Sequence, residues 1–210
     1  MIKIHFGWAL ATAAALTAAA AVAQVGASKL VDPNLADRTT LRALPNVGDA
    51  LADAIIGARP LTSATALNVV VAKSLSDAQR AELYARLFRQ LNLNTSPRDE
   101  IMLIPGMTAR MAHEFEEYRP YTSLVQFRRE IGKYVDAAEV ARLEQYVFVP
   151  LNLDKASAED FMTIPGMTSR MVHEFEEYRP YTSMEQFRRE IGKYVDQKEV
   201  ARLESYVTLD

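Results

Sequence analysis

The chain has 210 residues, 49% apolar and 24% charged, with a formal net charge of −3 and no cysteine. Such a composition is globular. It excludes a uniformly basic nucleic-acid protein, and the missing cysteines exclude disulfides and lipoprotein attachment.

In chain order, Lys3 stands in a short basic n-region, and Trp8 to Ala23 is almost entirely Ala, Leu, Val and Thr. Ala21-Val22-Ala23 reads as a small-x-small cleavage signature, with Val25-Gly26-Ala27 as a second candidate. The spacing predicts a secretory signal peptide over residues 1–27, hence a periplasmic or secreted protein with no membrane attachment after cleavage. The alternative is an uncleaved anchor. The apolar run is shorter than the ~20 residues a spanning helix needs.

The remainder is an internal repeat with a shift of 60. Residues 91–149 and 151–209 share 41 identities in 59 positions. A first repeat, 28–90, keeps mainly the skeleton: Leu44-Pro45, Arg59-Pro60, Thr62-Ser63, Leu67, Val71 and Leu83. The expected domains are therefore 1–27, 28–90, 91–150 and 151–210.

Each repeat reads as short helices with tight connections. Ser157 is a candidate N-cap, and Ser96-Pro97 does the same work in the second repeat, with Pro at the first helical position. Met167, Met171, Phe175 and Tyr178 fall on one helical face, and Pro180 ends that helix. Ser76-x-x-Gln79, Ser123-x-x-Gln126, Ser183-x-x-Gln186, Asp136-x-x-Glu139 and Asp196-x-x-Glu199 are capping-box patterns that place further helix starts. Four to five helices per repeat and no strand are expected. Leu91-Asn92-Leu93 and Leu151-Asn152-Leu153 are joints without Gly/Ser flexibility, which predicts a stiff rod of three beads.

Between the first two helices of each repeat lies the most regular element: Ile104-Pro105-Gly106-Met107-Thr108, its copy Ile164-Pro165-Gly166-Met167-Thr168, and the fainter Leu44-Pro45-Asn46-Val47-Gly48. With Leu-Asn-Leu at 151–153 and Glu-Tyr-Arg at 177–179, these residues resemble the exported helix-hairpin-helix competence proteins, which are DNA receptors. The resemblance spans each repeat. It implies an all-α fold of three tandem helix-hairpin-helix modules. It also implies that amides at the hairpin and the following helix start face a DNA phosphate without reading sequence. The implied contacts are Val47, Gly48, Gly106, Met107, Thr108, Arg110, Gly166, Met167, Thr168 and Arg170. Family hairpins are usually Gly–apolar–Gly. Here Thr108 and Thr168 replace the second Gly and Asn46 the first, substitutions that preserve a turn but add bulk where a phosphate would approach. A second hairpin per repeat, at Tyr134-Val135-Asp136 and Tyr194-Val195-Asp196, reads as structural.

Charge divides the repeats. Their net charges are +2, −2 and −4 in order, so the best-formed hairpins lie in the acidic ones. Arg128, Arg129 and Lys133, with Arg188, Arg189 and Lys193, form the only dense basic patch. It reads equally as a phosphate-neutralising surface or a solvated helix face. Glu114 stands one turn from Arg110 and is expected to pair with it. Tyr121 is the more open candidate for base stacking, with Tyr118 on the apolar stripe. One His per acidic repeat beside Glu116 and Glu117 does not make a metal site, no cofactor motif is present, and no Ser/His/Asp arrangement points to an enzyme. The leading expectation is a non-enzymatic binder of double-stranded DNA. The alternative is a module that docks on a periplasmic protein, as the extrinsic photosystem II subunit of this same fold docks on protein.

Overall fold

The computed structural model describes Val25 and residues 28–209, so the expected leader falls, Val25 apart, outside the described residues. The described residues are helix-rich, with twelve α-helices and very little strand. The first repeat contains α1 (Arg38–Arg42), α2 (Asp49–Gly57), α3 (Ala64–Val71) and α4 (Asp77–Tyr84). The second contains α5 (Arg98–Ile101), α6 (Ala109–Glu117), α7 (Leu124–Ile131) and α8 (Ala137–Glu144), and the third α9 (Ala158–Phe161), α10 (Ser169–Glu177), α11 (Met184–Ile191) and α12 (Gln197–Glu204). No helix among the described residues is long and apolar enough to cross a membrane.

Small polar residues set the helix starts, since their side chains satisfy amides that have no intrahelical acceptor. Ser63, Ser76, Ser123, Asp136, Ser157, Ser183 and Asp196 each accept from the amide three residues on. Only some of the expected boxes are reciprocal. Ser76 with Gln79 closes fully, as does Ser157 with Asp160. Gln126 and Gln186 instead accept from Thr122 and Thr182 and donate to Pro120 and Pro180 carbonyls. Glu139 and Glu199 are drawn away by Arg142 and Arg202, because a guanidinium fork outcompetes a single amide. The N-cap of α5 is Pro97, not Ser96, which is buried one residue earlier.

The expectation of no strand is corrected at the joints. Leu91–Asn92 (β1) pairs in parallel with Val147–Phe148 (β2), and Leu151–Asn152 (β3) with Val207–Thr208 (β4). Val31 bridges Leu87 in the same sense. Two-residue pairings have no periodicity to detect. They form because each repeat returns its end beside its start.

An arginine repeated at the same spacing locks that closure. Arg119 donates from Nε to the Leu93 carbonyl at 2.6 Å and from Nη2 to the Ser96 carbonyl at 2.5 Å. Arg179 does the same to Leu153 and Ala156, and Arg59 to Pro33 and Ala36. Asn34 and Asn94 add a two-way tie to Leu61 and Tyr121. In the third repeat Asp154 only accepts, from the Tyr181 amide at 2.9 Å. Restoring the donor by Asp154→Asn is expected to stabilise by about 0.5–1 kcal/mol, the net worth of one hydrogen bond, read as a higher urea midpoint at unchanged slope.

The rod is also corrected. The first and second repeats share one hydrophobic core, while the third has its own, which includes Val25 and Phe148. The first repeat touches both neighbours. The Thr65 amide at the start of α3 donates to buried Glu100 at 2.9 Å. Arg89, fully buried, donates to Ser205 Oγ at 2.6 Å with its guanidinium 4.2 Å from the Tyr206 ring. Tyr206 donates to Asp32 at 3.3 Å, and burial pushes its phenol up to about 12. A linear array leaves the outer repeats apart; here the first repeat folds back onto the third.

Candidate functional site

Three turns of the same shape precede α2, α6 and α10. Asn46, Gly106 and Gly166 have φ of 64°, 75° and 74°, the left-handed conformation that a Cβ disfavours and Asn tolerates. Gly48, Thr108 and Thr168 follow two residues later as extended N-caps, with φ of −88°, −108° and −121°. Those angles suit any residue, so the backbone does not require glycine there. Thr108 and Thr168 use the freedom to cap: their hydroxyls accept from Met111 and Met171 amides at 3.2 Å.

The amides of Val47, Met107 and Met167 donate to Leu44, Ile104 and Ile164 within the turn, at 3.3, 3.0 and 3.0 Å. Val47 is buried, and Met107 and Met167 lean on the core. As phosphate donors these three are spent. The expected hairpin contacts that do face outward are Gly48, Gly106, Thr108 and Arg110, with Gly166, Thr168 and Arg170.

Arg110 does not pair with Glu114. Its guanidinium lies 6.0 Å from the Tyr134 ring, and Arg170 sits 5.9 Å from Tyr194. Glu114 is buried beneath them. Hydrogen bonds to Tyr118, then to Glu114, push the Tyr134 phenol well above its ordinary value. The Tyr118 and Tyr134 hydroxyls are 2.8 Å apart, as are those of Tyr178 and Tyr194. The second hairpin's tyrosine is therefore a packing and hydrogen-bonding residue, as expected for a structural turn.

The basic patch is internally neutralised. Arg128 makes a two-pronged pair with Glu144, both contacts at 2.6 Å, and Arg188 does so with Glu204 at 2.8 and 2.6 Å. Arg129 and Lys133 both pair with Glu130, and Arg189 and Lys193 with Glu190. Those contacts, from Lys133 and Lys193 first, hold the two carboxyls below their ordinary value. The acids that complete the pairs come partly from α8 and α12, which the spacing along α7 and α11 cannot show. Tyr121 is also reversed. It is 1% exposed and packed on Phe127, while Tyr118 is the more open of the two.

Above each glycine hairpin lies an arginine that sequence reasoning did not single out. Arg142 donates from Nη1 to the Pro105 carbonyl at 2.9 Å and clasps both oxygens of Glu139 at 2.7 Å. Arg202 repeats this with Pro165 and Glu199 at 2.6–2.7 Å. The first repeat has Glu82 at that position, and Asn46 Nδ2 donates to it at 2.9 Å. The exchange of Asn/Glu for Gly/Arg was the available signal. There too α2 opens on Asp49, paired with Arg38 and Arg42 at 2.8 Å, so the most basic repeat puts an acid at its helix start.

The two arginine-hooked hairpins differ in what lies over them. At Gly166 an added Cβ would stand 3.0 and 3.1 Å from the two methyls of Leu35, a residue of the first repeat. At Gly106 it would meet only Arg142 Nη2, at 3.7 Å. Gly106 opens instead onto a cavity of about 570 Å³ walled by Leu30, Ala85, Glu139, Arg142 and Tyr146. Among the described residues no cluster of three or more His, Cys, Asp or Glu is arranged to hold a metal ion.

No family model matches the chain, and no solved structure matches it. A curated relative, the endonuclease/exonuclease/phosphatase family domain-containing protein 1 of Xenopus laevis, is 28% identical over 120 residues, covering 43% of this chain. The chain spans about a fifth of that relative's length, 21%.

Proposed function

We propose that this is an exported, non-enzymatic scaffold of three tandem helix-hairpin-helix modules whose glycine hairpins grip protein. The carrying observation is the Gly166 hairpin, against which a leucine of another repeat, Leu35, already packs with 45% of its surface still exposed. Neutralised patches at Arg128–Lys133 and Arg188–Lys193 support the same reading, since counterion release on DNA requires cations that are free to meet phosphates. The relative's name mentions a nuclease and phosphatase domain. The chain spans a fifth of that protein, too little for its activity to carry over.

A second reading, double-stranded DNA, is favoured by one observation. Arg110 and Arg170 are exposed, have no carboxylate partner among the described residues, and stand one turn after the hairpins. Both readings meet in one experiment. A photo-crosslinking residue at exposed Ala85 is expected to yield a protein adduct in periplasmic extract. Duplex DNA titrated against salt is expected to bind no better to the native chain than to Arg110→Glu/Arg170→Glu. DNA affinity that falls steeply with salt and is lost in that double variant, without a protein adduct, would establish the second reading instead.

A further inference from the structure

In the third repeat a segment of the first repeat lies against the hairpin. The segment Asp32-Pro33-Asn34-Leu35 is a tight turn. Asp32 Oδ1 accepts from the Asn34 amide at 2.7 Å, and its carbonyl from the amides of Leu35 and Ala36 at 3.2 and 3.1 Å. From this turn Leu35 reaches the Gly166 hairpin while Asp32 Oδ2 accepts from the Tyr206 hydroxyl. An aliphatic side chain and a carboxylate three residues earlier thus meet a bare glycine, a hooked arginine and a tyrosine.

The second repeat contains the same receptor, residue for residue. Pro105, Gly106, Glu139, Arg142 and Tyr146 stand where the third has Pro165, Gly166, Glu199, Arg202 and Tyr206. The internal geometry is shared as well, since each arginine hooks the proline carbonyl and clasps the glutamate. The difference is occupancy. Arg202 is nearly fully buried, whereas a third of the Arg142 side chain is exposed. No carboxylate among the described residues hydrogen-bonds Tyr146, and no leucine methyl lies within 4 Å of a Cβ built on Gly106. Arg142 spends three of its five guanidinium donors on Pro105 and Glu139 and also faces Tyr146, so the arginine and the tyrosine line the notch together.

We infer that the Gly106 notch is a docking site for a turn on a partner protein that carries an acidic residue three positions before a leucine, a copy in chemistry of Asp32–Leu35. The site rests on the scaffold reading above and specifies its ligand. The leucine fills the space over Gly106 that a Cβ would deny it, and the walls of Leu30 and Ala85 supply apolar contact. The acid accepts from the Tyr146 hydroxyl, as Asp32 does from Tyr206, with the Arg142 guanidinium beside it. Such a pairing gives specificity, because a basic residue at that position would meet Arg142 as a like charge and an apolar one would leave the tyrosine hydroxyl without its acceptor.

The test uses a fluorescein-labelled synthetic peptide with the sequence of residues 30–38, titrated into the full mature chain. Saturable binding of one peptide per chain is expected, with Asp→Asn and Leu→Ala peptides each weakened about tenfold or more. Arg142→Gln in the chain is expected to weaken the native peptide comparably. The peptide substitutions read out the contact without any change to the folded chain. Absence of saturable binding, or binding indifferent to both peptide substitutions, overturns the inference. If the peptide fails while Ala85 still crosslinks a protein, the scaffold reading stands and only the ligand is wrong. Peptide binding with no crosslinked partner in extract supports the notch and sinks the scaffold role.

Discussion

Phe175→Ala is expected to cost about 3–5 kcal/mol, the largest single loss available to the third repeat. Phe175 is fully buried and central to its core. It meets Phe161 and Phe187 edge to face, with ring centroids 5.2 Å apart in both cases. Removing the ring forfeits the transfer of a large aromatic and two quadrupolar contacts, and leaves a void that the stiff helices α9, α10 and α11 cannot collapse. Since the third repeat has a core separate from that of the first two, the loss should appear unevenly. Native-state hydrogen exchange should show amides of α10 and α11 opening at lower free energy, with those of α3 and α7 little changed. Uniform loss across all three repeats would mean that the interface through Arg89, Asp32 and Leu35 couples them into one cooperative unit.

Arg179→Ala is expected to cost about 3 kcal/mol. Two charge-assisted hydrogen bonds, to the Leu153 and Ala156 carbonyls, are lost together, and two largely enclosed acceptors lose their donor. The guanidinium also lies 5.2 Å from the Phe161 ring. The informative companion is Arg179→Lys. A lysine keeps the charge but presents a single point of donation, so it cannot bridge two carbonyls held three residues apart, and should recover less than half of the loss. Urea unfolding at constant slope measures both. Full recovery by lysine would show that charge, and not the planar fork, holds the opening loop to the end of α10.

The hairpins were legible because local rules govern them. Asn46, Gly106 and Gly166 had to be left-handed, Thr108 and Thr168 had to cap, and the structure has them so. The candidate site was far less legible. Arg128, Arg129 and Lys133 make a basic cluster along α7, yet Glu144 arrives from α8 to neutralise part of it. Tyr121 looked open beside Pro120, but the Asn94 side chain ties its backbone inward and Phe127 covers its ring. Arg142 and Arg202 lie 36 residues beyond the glycines they overlie, at a spacing with no local meaning.

By itself the sequence determined the helices, their caps and the three turns, since each depends on residues within about four positions of one another. It also displayed the 60-residue repeat that makes any finding in one unit a question about the next. Only the tertiary structure decided which charges are free, because pairing depends on helices that approach from elsewhere in the chain. It also decided the arrangement of the repeats. The short pairings of β1 with β2 and β3 with β4 return each chain end to its start, and that closure swings the first repeat against the third. One glycine hairpin is thereby met by Leu35, while no leucine among the described residues lies against its twin at Gly106.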